Sequence, residues 1–290
     1  MTRLSALRAP GEPLDPAAID RTLCALADML TAIRGLRIDD VRAVATAGLR
    51  RAQNPNAFLR RARSELDLDV HVIDGRTEAA LAFAGATSGP FGDAGIVVDI
   101  GGRSTELAVG RAGRMERFVS LDAGTISLTE AHLPSDPPSA HELGACRRAV
   151  RAQLEAAPEA PEPSDAAPLI GVSGTVLALA GRHLGVDSMS ALISAVEAAP
   201  LAQADVERQL DELAGLTAEQ RIFGDVLPEG RADVIVGGAI VVCEIMRHYA
   251  RSRLHVTARG LRHGLLRDLG TLQPPKPSEH AGVTGSLGPR

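Results

Sequence analysis

A chain of 290 residues that is 45% hydrophobic can bury one large core or two of ordinary size. Aromatic residues make up only 2%, which argues against recognition by stacking on bases or sugars, and a net charge of −5 without a basic stripe argues against a surface for duplex nucleic acid. Lys276 is the only lysine, so a Walker-type P-loop is excluded and arginine must supply the cation for any phosphate chemistry.

In chain order, residues 1–13 hold Pro10, Gly11 and Pro13 and read as a loop. Asp15 and Pro16 open a helix as N-cap and first-turn proline. Ile19, Leu23, Leu26, Leu30 and Ile33 form its apolar stripe, and Gly35 stops it. Val41 to Ala45 is a predicted strand, followed by Thr46-Ala47-Gly48-Leu49-Arg50. A second helix starts at Asn54-Pro55 with Phe58, Leu59, Ala62 and Leu66 as apolar positions. Val70 to Ile73 is a strand, and Asp74-Gly75 turns the chain into a helix from about Thr77 to Ala86. The Gly/Ser/Pro stretch from Gly85 to Gly92 is the predicted domain boundary.

The stretch from Ile96 to Gly110 carries the most chemistry. An apolar run ends at Asp99, Gly101 and Gly102 make a tight turn, and Glu106 opens a second apolar run. Glycine lets a phosphate approach the backbone N–H groups of such a turn closely. Asp99 and Glu106 bracket it and can hold a metal ion or a water against that phosphate. Met115 to Leu121 supplies a third strand, and a helical segment with Thr129 and Glu130 follows.

A helix is expected from Ala140 to about Glu155, then an Ala/Pro/Glu-rich surface linker over 156–167. Leu169 to Val172 is a strand that runs through Ser173-Gly174-Thr175 into a helix. Segments 202–214 and 217–223 look helical, and Pro228 to Ala250 contains a strongly apolar helix. Leu254 to Thr257 is a strand, Arg259-Gly260 a turn and Leu261 to Leu269 a last helix, with a Pro/Gly/Ser-rich tail after it. Strands alternating with helices, together with the meander at 96–121, predict an α/β protein with mixed sheets. Cys24, Cys146 and Cys243 are too far apart for ligand spacing and read as small buried side chains. Without an apolar leader or a membrane-length run, a soluble cytoplasmic protein is expected.

Seven motifs in this order resemble one family: Ala45 to Arg50 with Asn54; Ile73 to Ala79; Asp99 to Leu107; Ser120-Leu121 through Leu128-Thr129-Glu130; Gly171 to Thr175; Arg231 to Ile235; and Arg259 to Leu266. The chain resembles the exopolyphosphatase/guanosine pentaphosphate phosphohydrolase (Ppx/GppA) family of the actin-like ATPase superfamily. The resemblance implies a two-domain actin-like (ribonuclease H-like) α/β fold. The first domain, 1–86, would lack its N-terminal strands and first phosphate loop; the second, 87–270, would hold the phosphate loop; 271–290 would be a disordered tail. It also implies hydrolysis of a terminal phosphoanhydride bond in inorganic polyphosphate or guanosine pentaphosphate (pppGpp), with Mg²⁺, by a protein that is plausibly a homodimer.

Residue by residue, the resemblance makes Glu78 the catalytic group that orients or deprotonates water, and Asp99 and Glu106 the acidic pair that holds metal. Arg50, Gly101, Gly102, Arg103, Ser104, Thr105, Gly174 and Thr175 become phosphate-binding. Arg103 stands where a third loop glycine is usual, so it either adds a cation or obstructs the cradle. Thr77, Ser127, Ser173 and Ala258 also depart from the family pattern. An alternative expectation is therefore a catalytically impaired member that binds polyphosphate or a nucleotide, or regulates a partner.

Overall fold

In the computed structural model, residues 11–38, 40–157, 167–198 and 200–267 are described, with Thr2 and Leu4. The tail from 271 and most of the 156–167 segment lie outside the described residues. The first lobe holds helix α1 (Pro16–Ile33), strand β1 (Ala43–Ala45), helices α2 (Ala47–Arg50) and α3 (Pro55–Leu66), and strand β2 (Val70–Val72). Asp15 caps α1 by accepting from Ala17 N, as the Asp-Pro pair predicts. Leu14, Ile19, Leu23, Leu49, Phe58 and Ala62 are buried together between these helices. β1 and β2 pair in parallel as a two-stranded sheet, while Val41 and Val72 stay 42% and 39% exposed.

Helix α4 (Gly75–Ala86) leads into a six-stranded mixed sheet. Strands β3 (Gly95–Ile100), β4 (Thr105–Arg111) and β5 (Arg114–Leu121) form the antiparallel meander. β6 (Leu169–Val172) adds in parallel to β3, and two further strands, β7 (Leu201–Ala202) and β8 (Arg253–Val256), complete the order β5-β4-β3-β6-β8-β7. The helices between them are α5 (Thr125–His132), α6 (Ala140–Ala156), α7 (Gly174–Leu184), α8 (Met189–Ala195), α9 (Gln203–Ala214), α10 (Glu229–Ala232) and α11 (Ile235–His248), and α12 (Leu261–Arg267) comes last.

The sheet's two faces have different partners because strand residues alternate between them. Ile96, Val98, Ile100, Leu107 and Leu169 face the main core with α6, α7, α9 and α11. Every residue of α11 from Ile235 to Met246 is buried, as an all-round apolar helix requires. Val97, Ala108, Ile170 and Val172 face Ala79, Ala82, Phe83 and Ala86 of α4. α4 in turn crosses α12 at backbone contact: a Cβ on Gly264 would lie 1.9 Å from Leu81 O, and one on Gly85 would lie 2.2 Å from Gly260 O. Leu261 and Leu265 of α12 also reach Val44 and Ile73, which ties the small sheet to this spine.

Two sequence expectations are corrected. Residues 217–223 form no helix but a turn closing on a Phe223–Leu227 bridge. The reason is Arg221, 2% exposed, whose Nε donates to Leu213 O at 2.8 Å and which would be stranded on an exposed helix. Residues 228–250 hold the expected apolar helix as α11, preceded by the short α10. Cys24 is exposed on α1, whereas Cys146 and Cys243 are buried and their thiols pushed up to about 12 by burial. Among the described residues no single helix is long and apolar enough to cross a membrane.

Candidate active site

The site is the polar end of the interface between α4 and the sheet. Asp99 lies two residues beyond Val97 on the same face of β3, and Glu106 lies two before Ala108 on β4. The register pairs Asp99 directly with Glu106. Two like charges directly opposite destabilise a ladder, so this pairing carries an electrostatic cost. On α4, Glu78 precedes Ala82 by one turn and extends the same helix face toward those carboxylates.

Asp74 fixes the start of α4 by accepting from Thr77 N at 2.7 Å, and that bond holds its carboxyl below the usual range. Glu78 therefore sits at the positive end of the helix. It is 8% exposed, and burial together with Glu106 pushes it up to about 6 despite Arg50. Burial, then Glu106 and Glu78, push Asp99 up as well. Glu106 is raised by burial and partly restored by hydrogen bonds from Ser104 and Ser120. The three groups share one electrostatic environment and bind protons as a cluster.

Arg50, at the end of α2, is a cation turned toward this cluster. Its Nη1 donates to Ile73 O at 2.6 Å and lies 3.4 Å from Glu78 Oε2. The glycine turn is held from behind: Gly101 N donates to Ser104 O at 2.9 Å, and the Gly101 and Gly102 carbonyls accept from Thr125 N and Ile126 N in the first turn of α5. Gly124 must be glycine, since a Cβ there would lie 2.3 Å from the Arg103 carbonyl carbon. Arg103 donates through Nη1 and Nη2 to both carboxylate oxygens of Glu130 on α5, at 2.6 and 3.3 Å. Thr105 Oγ1 donates to Ala123 O, and Ser104 bonds Glu106, so these side chains brace the hairpin.

Gly174 begins α7 after Ser173, whose hydroxyl accepts from Val176 N. A cavity of about 170 Å³ joins this turn to Asp99; Ser173, Gly174, Thr257, Gly260 and Arg262 also line it. Thr175 is buried with its side chain against the Cα of Gly238 on α11. Of the residues singled out in the sequence, Asp99 and Gly174 line this cavity, Glu78, Asp99, Glu106 and Arg50 form one electrostatic cluster, and the Arg103 and Thr105 side chains are turned to Glu130 and Ala123. Two supports were not singled out. Ser120 Oγ donates to Glu106 Oε1 at 2.9 Å, and Thr46 bonds Glu78 while leaving α2 without a side-chain cap. The Thr46 signal was present in its position at the N-cap of α2, four residues before Arg50.

Two opposed carboxylates with raised proton affinity fit a hard cation that takes its remaining ligands from water and phosphate. Among the described residues no cluster of three or more His, Cys, Asp or Glu side chains could hold a metal, so an all-protein cage is not built here.

A three-strand antiparallel meander continued by parallel strands matches the actin-like ATPase fold that the resemblance implies. A model of the Ppx/GppA phosphatase family matches residues 1–271. Exopolyphosphatase 2 of Mycobacterium tuberculosis is 36% identical over 240 residues, covering 80% of this chain and 74% of that protein. A solved exopolyphosphatase-like protein superposes with a TM-score of 0.79 at 27% identity, covering 89% of this chain and 86% of the other. The Ppx/GppA enzyme of Aquifex aeolicus superposes with a TM-score of 0.73 at 28% identity, covering 88% and 84%. The chain belongs to the Ppx/GppA phosphatase family. That membership makes it a phosphoanhydride hydrolase.

Proposed function

We propose that this protein releases terminal phosphate from inorganic polyphosphate by Glu78-assisted attack of water, with Mg²⁺ bound at Asp99 and Glu106. The observation that carries the reading is Glu78 held at the head of α4 beside the Asp99–Glu106 pair and the glycine hairpin. Polyphosphate is preferred as substrate because the curated relative at 36% identity is an exopolyphosphatase. pppGpp, with the same terminal phosphoanhydride, is the second candidate for the same site.

Phosphoryl transfer to water needs a positioned nucleophile and neutralised charge, with little covalent work by the protein. A carboxylate near pH 6 is mostly ionised at pH 7 and still a competent base, so Glu78 can hold the water and take its proton. The water oxygen bonds the terminal phosphorus as the bridging P–O bond breaks, and the shortened chain leaves with that oxygen. Arg50 and the turn at Gly102 to Ser104 would meet the phosphoryl oxygens, and Gly174 with Thr175 would add the N-terminal end of α7. Bound Mg²⁺ would supply positive charge against the phosphate oxygens.

The test is release of orthophosphate from long-chain polyphosphate with Mg²⁺, in wild type and Glu78→Gln. Wild type should turn over, and the variant should lose at least about 10²-fold in kcat. Equal rates would sink the role of Glu78. An inert wild type on both polyphosphate and pppGpp would sink the hydrolase reading of this chain and favour a binding or regulatory member.

A further inference from the structure

Helix α2 ends in two adjacent arginines that point to different tasks. Arg50 turns inward to Ile73 O and Glu78. Arg51 reaches across to the other lobe, where its Nη2 donates to Asp122 Oδ1 at 2.7 Å. Asp122 directly follows β5 and precedes Ala123 and Gly124, the two residues packed against the hairpin at Thr105 and Arg103. The ion pair therefore spans from the small lobe to the rim of the phosphate loop.

The main chain of Arg51 is anchored by backbone bonds, while its side chain is held only by the exposed pair with Asp122. Arg51 N donates to Ala47 O at 3.0 Å, and Arg51 O accepts from Gly11 N at 3.0 Å. The two side chains are 34% and 74% exposed. A pair this exposed holds weakly and can exchange partners. The guanidinium also lies within electrostatic reach of Glu106.

We propose that Arg51 is a second phosphate-chain contact, held by Asp122 in the free protein and handed to an oligophosphate when one enters the cleft. This rests on the hydrolase reading of the site. Arg50 and the hairpin meet the terminal phosphate, and Arg51, next along the rim, meets a phosphate further down the chain. A guanidinium fork binds phosphate oxygens in two-point fashion and so can leave a single exposed carboxylate for them. Because Arg50 is directed at Glu78 and Arg51 at Asp122, a terminal phosphate held by Arg50 leaves Arg51 for a phosphate further along the chain, so the contact favours a chain over orthophosphate. It lies away from the reacting bond and stabilises ground and transition states alike. Its signature is therefore in KM rather than kcat.

The test uses the full chain with Glu78→Gln to prevent turnover, and tripolyphosphate and orthophosphate as ligands in calorimetry. Arg51→Gln should weaken tripolyphosphate binding about tenfold, and Asp122→Asn, which frees Arg51, should tighten it about threefold. Arg51→Lys should restore part of the loss, and orthophosphate binding should not move. With Glu78 intact, KM for polyphosphate should shift in the same two opposite directions at nearly constant kcat. A brace between lobes would behave otherwise, because both substitutions cut the same tie and would shift binding the same way. That result, no effect of Arg51→Gln, or no tripolyphosphate binding by any variant overturns the proposal. The predicted binding shifts in a chain whose Glu78-intact form turns nothing over would overturn the hydrolase reading and leave this one standing.

Discussion

At the residue scale, the chemistry rests on carboxylates placed where they are uncomfortable. Glu78, Asp99 and Glu106 are all raised above their ordinary range by burial, and Glu106 and Glu78 add to the strain on their neighbours. Such strain costs stability with a definite pH dependence. The folded state binds a proton at Glu78 more tightly than the unfolded chain, about 6 against 4.5, so wild type loses stability as pH rises through that window. Glu78→Gln should therefore stabilise the metal-free protein at pH 7 by at most about 2 kcal/mol. The gain should vanish below pH 4.5, the ordinary value for this group. Chemical denaturation of both proteins at pH 4 and pH 7 in chelator checks this. A variant less stable than wild type at pH 7 would show that the Arg50 and Thr46 contacts outweigh the burial. Stability gained where activity is lost is the trade expected of a catalytic carboxylate.

At the element scale, α4 does two jobs. Its apolar face covers the sheet through Ala79, Ala82, Phe83 and Ala86, and its head delivers Glu78. Its other side meets α12 so closely that backbone touches backbone at Gly85, Gly260 and Gly264. A methyl at Gly264 has no flexible side chain to displace, since Leu81 O itself stands 1.9 Å away. Gly264→Ala should cost about 3 kcal/mol or more and, by shifting α4, lower kcat as well. Gly185→Ala is the control. That glycine caps α7 at φ +66 with open space around it, so only the conformational cost of about 1 kcal/mol remains and turnover is kept. Thermal melts beside kinetics for the two variants separate them. Similar losses in both would mean that the crossing yields by sliding.

At the scale of the whole molecule, the two lobes are unequally built. The six-stranded sheet is packed on both faces, whereas the β1–β2 pair is short and parallel, with Val41 and Val72 partly exposed. Two strands make a marginal sheet, and parallel pairs are ordinarily covered on both faces. Hydrogen exchange should therefore be fastest among strand amides at Ala43–Ala45 and Val70–Val72, and slowest in Ile96–Ile100 of β3. Equal protection in the two sheets would contradict this ordering. Arg50 and Arg51 stand directly after β1 on α2, so opening of the small sheet would also loosen the cations that face the cleft.

Much of this protein is written locally and can be read from the chain. Asp15, Asp74 and Ser139 each cap a helix, because a side-chain oxygen beside the first turn needs no distant partner. The hairpin at Asp99–Glu106 follows from alternation around two glycines, and the carboxylates of the site follow from the motifs that contain them. What the sequence could not settle is what each element rests on. Residues 217–223 have a helical composition, yet Arg221 pulls them into a turn by bonding Leu213 O. α4 follows the small lobe in the chain but packs on the large sheet, because its apolar face matches Val97, Ala108, Ile170 and Val172. The approach of Glu78 to Asp99 and Glu106 and the reach of Arg51 to Asp122 join residues from separate segments. Local chemistry determines where helices and strands begin and end. Long-range packing decides that Glu78 meets the carboxylates of the hairpin, and at what proton affinity.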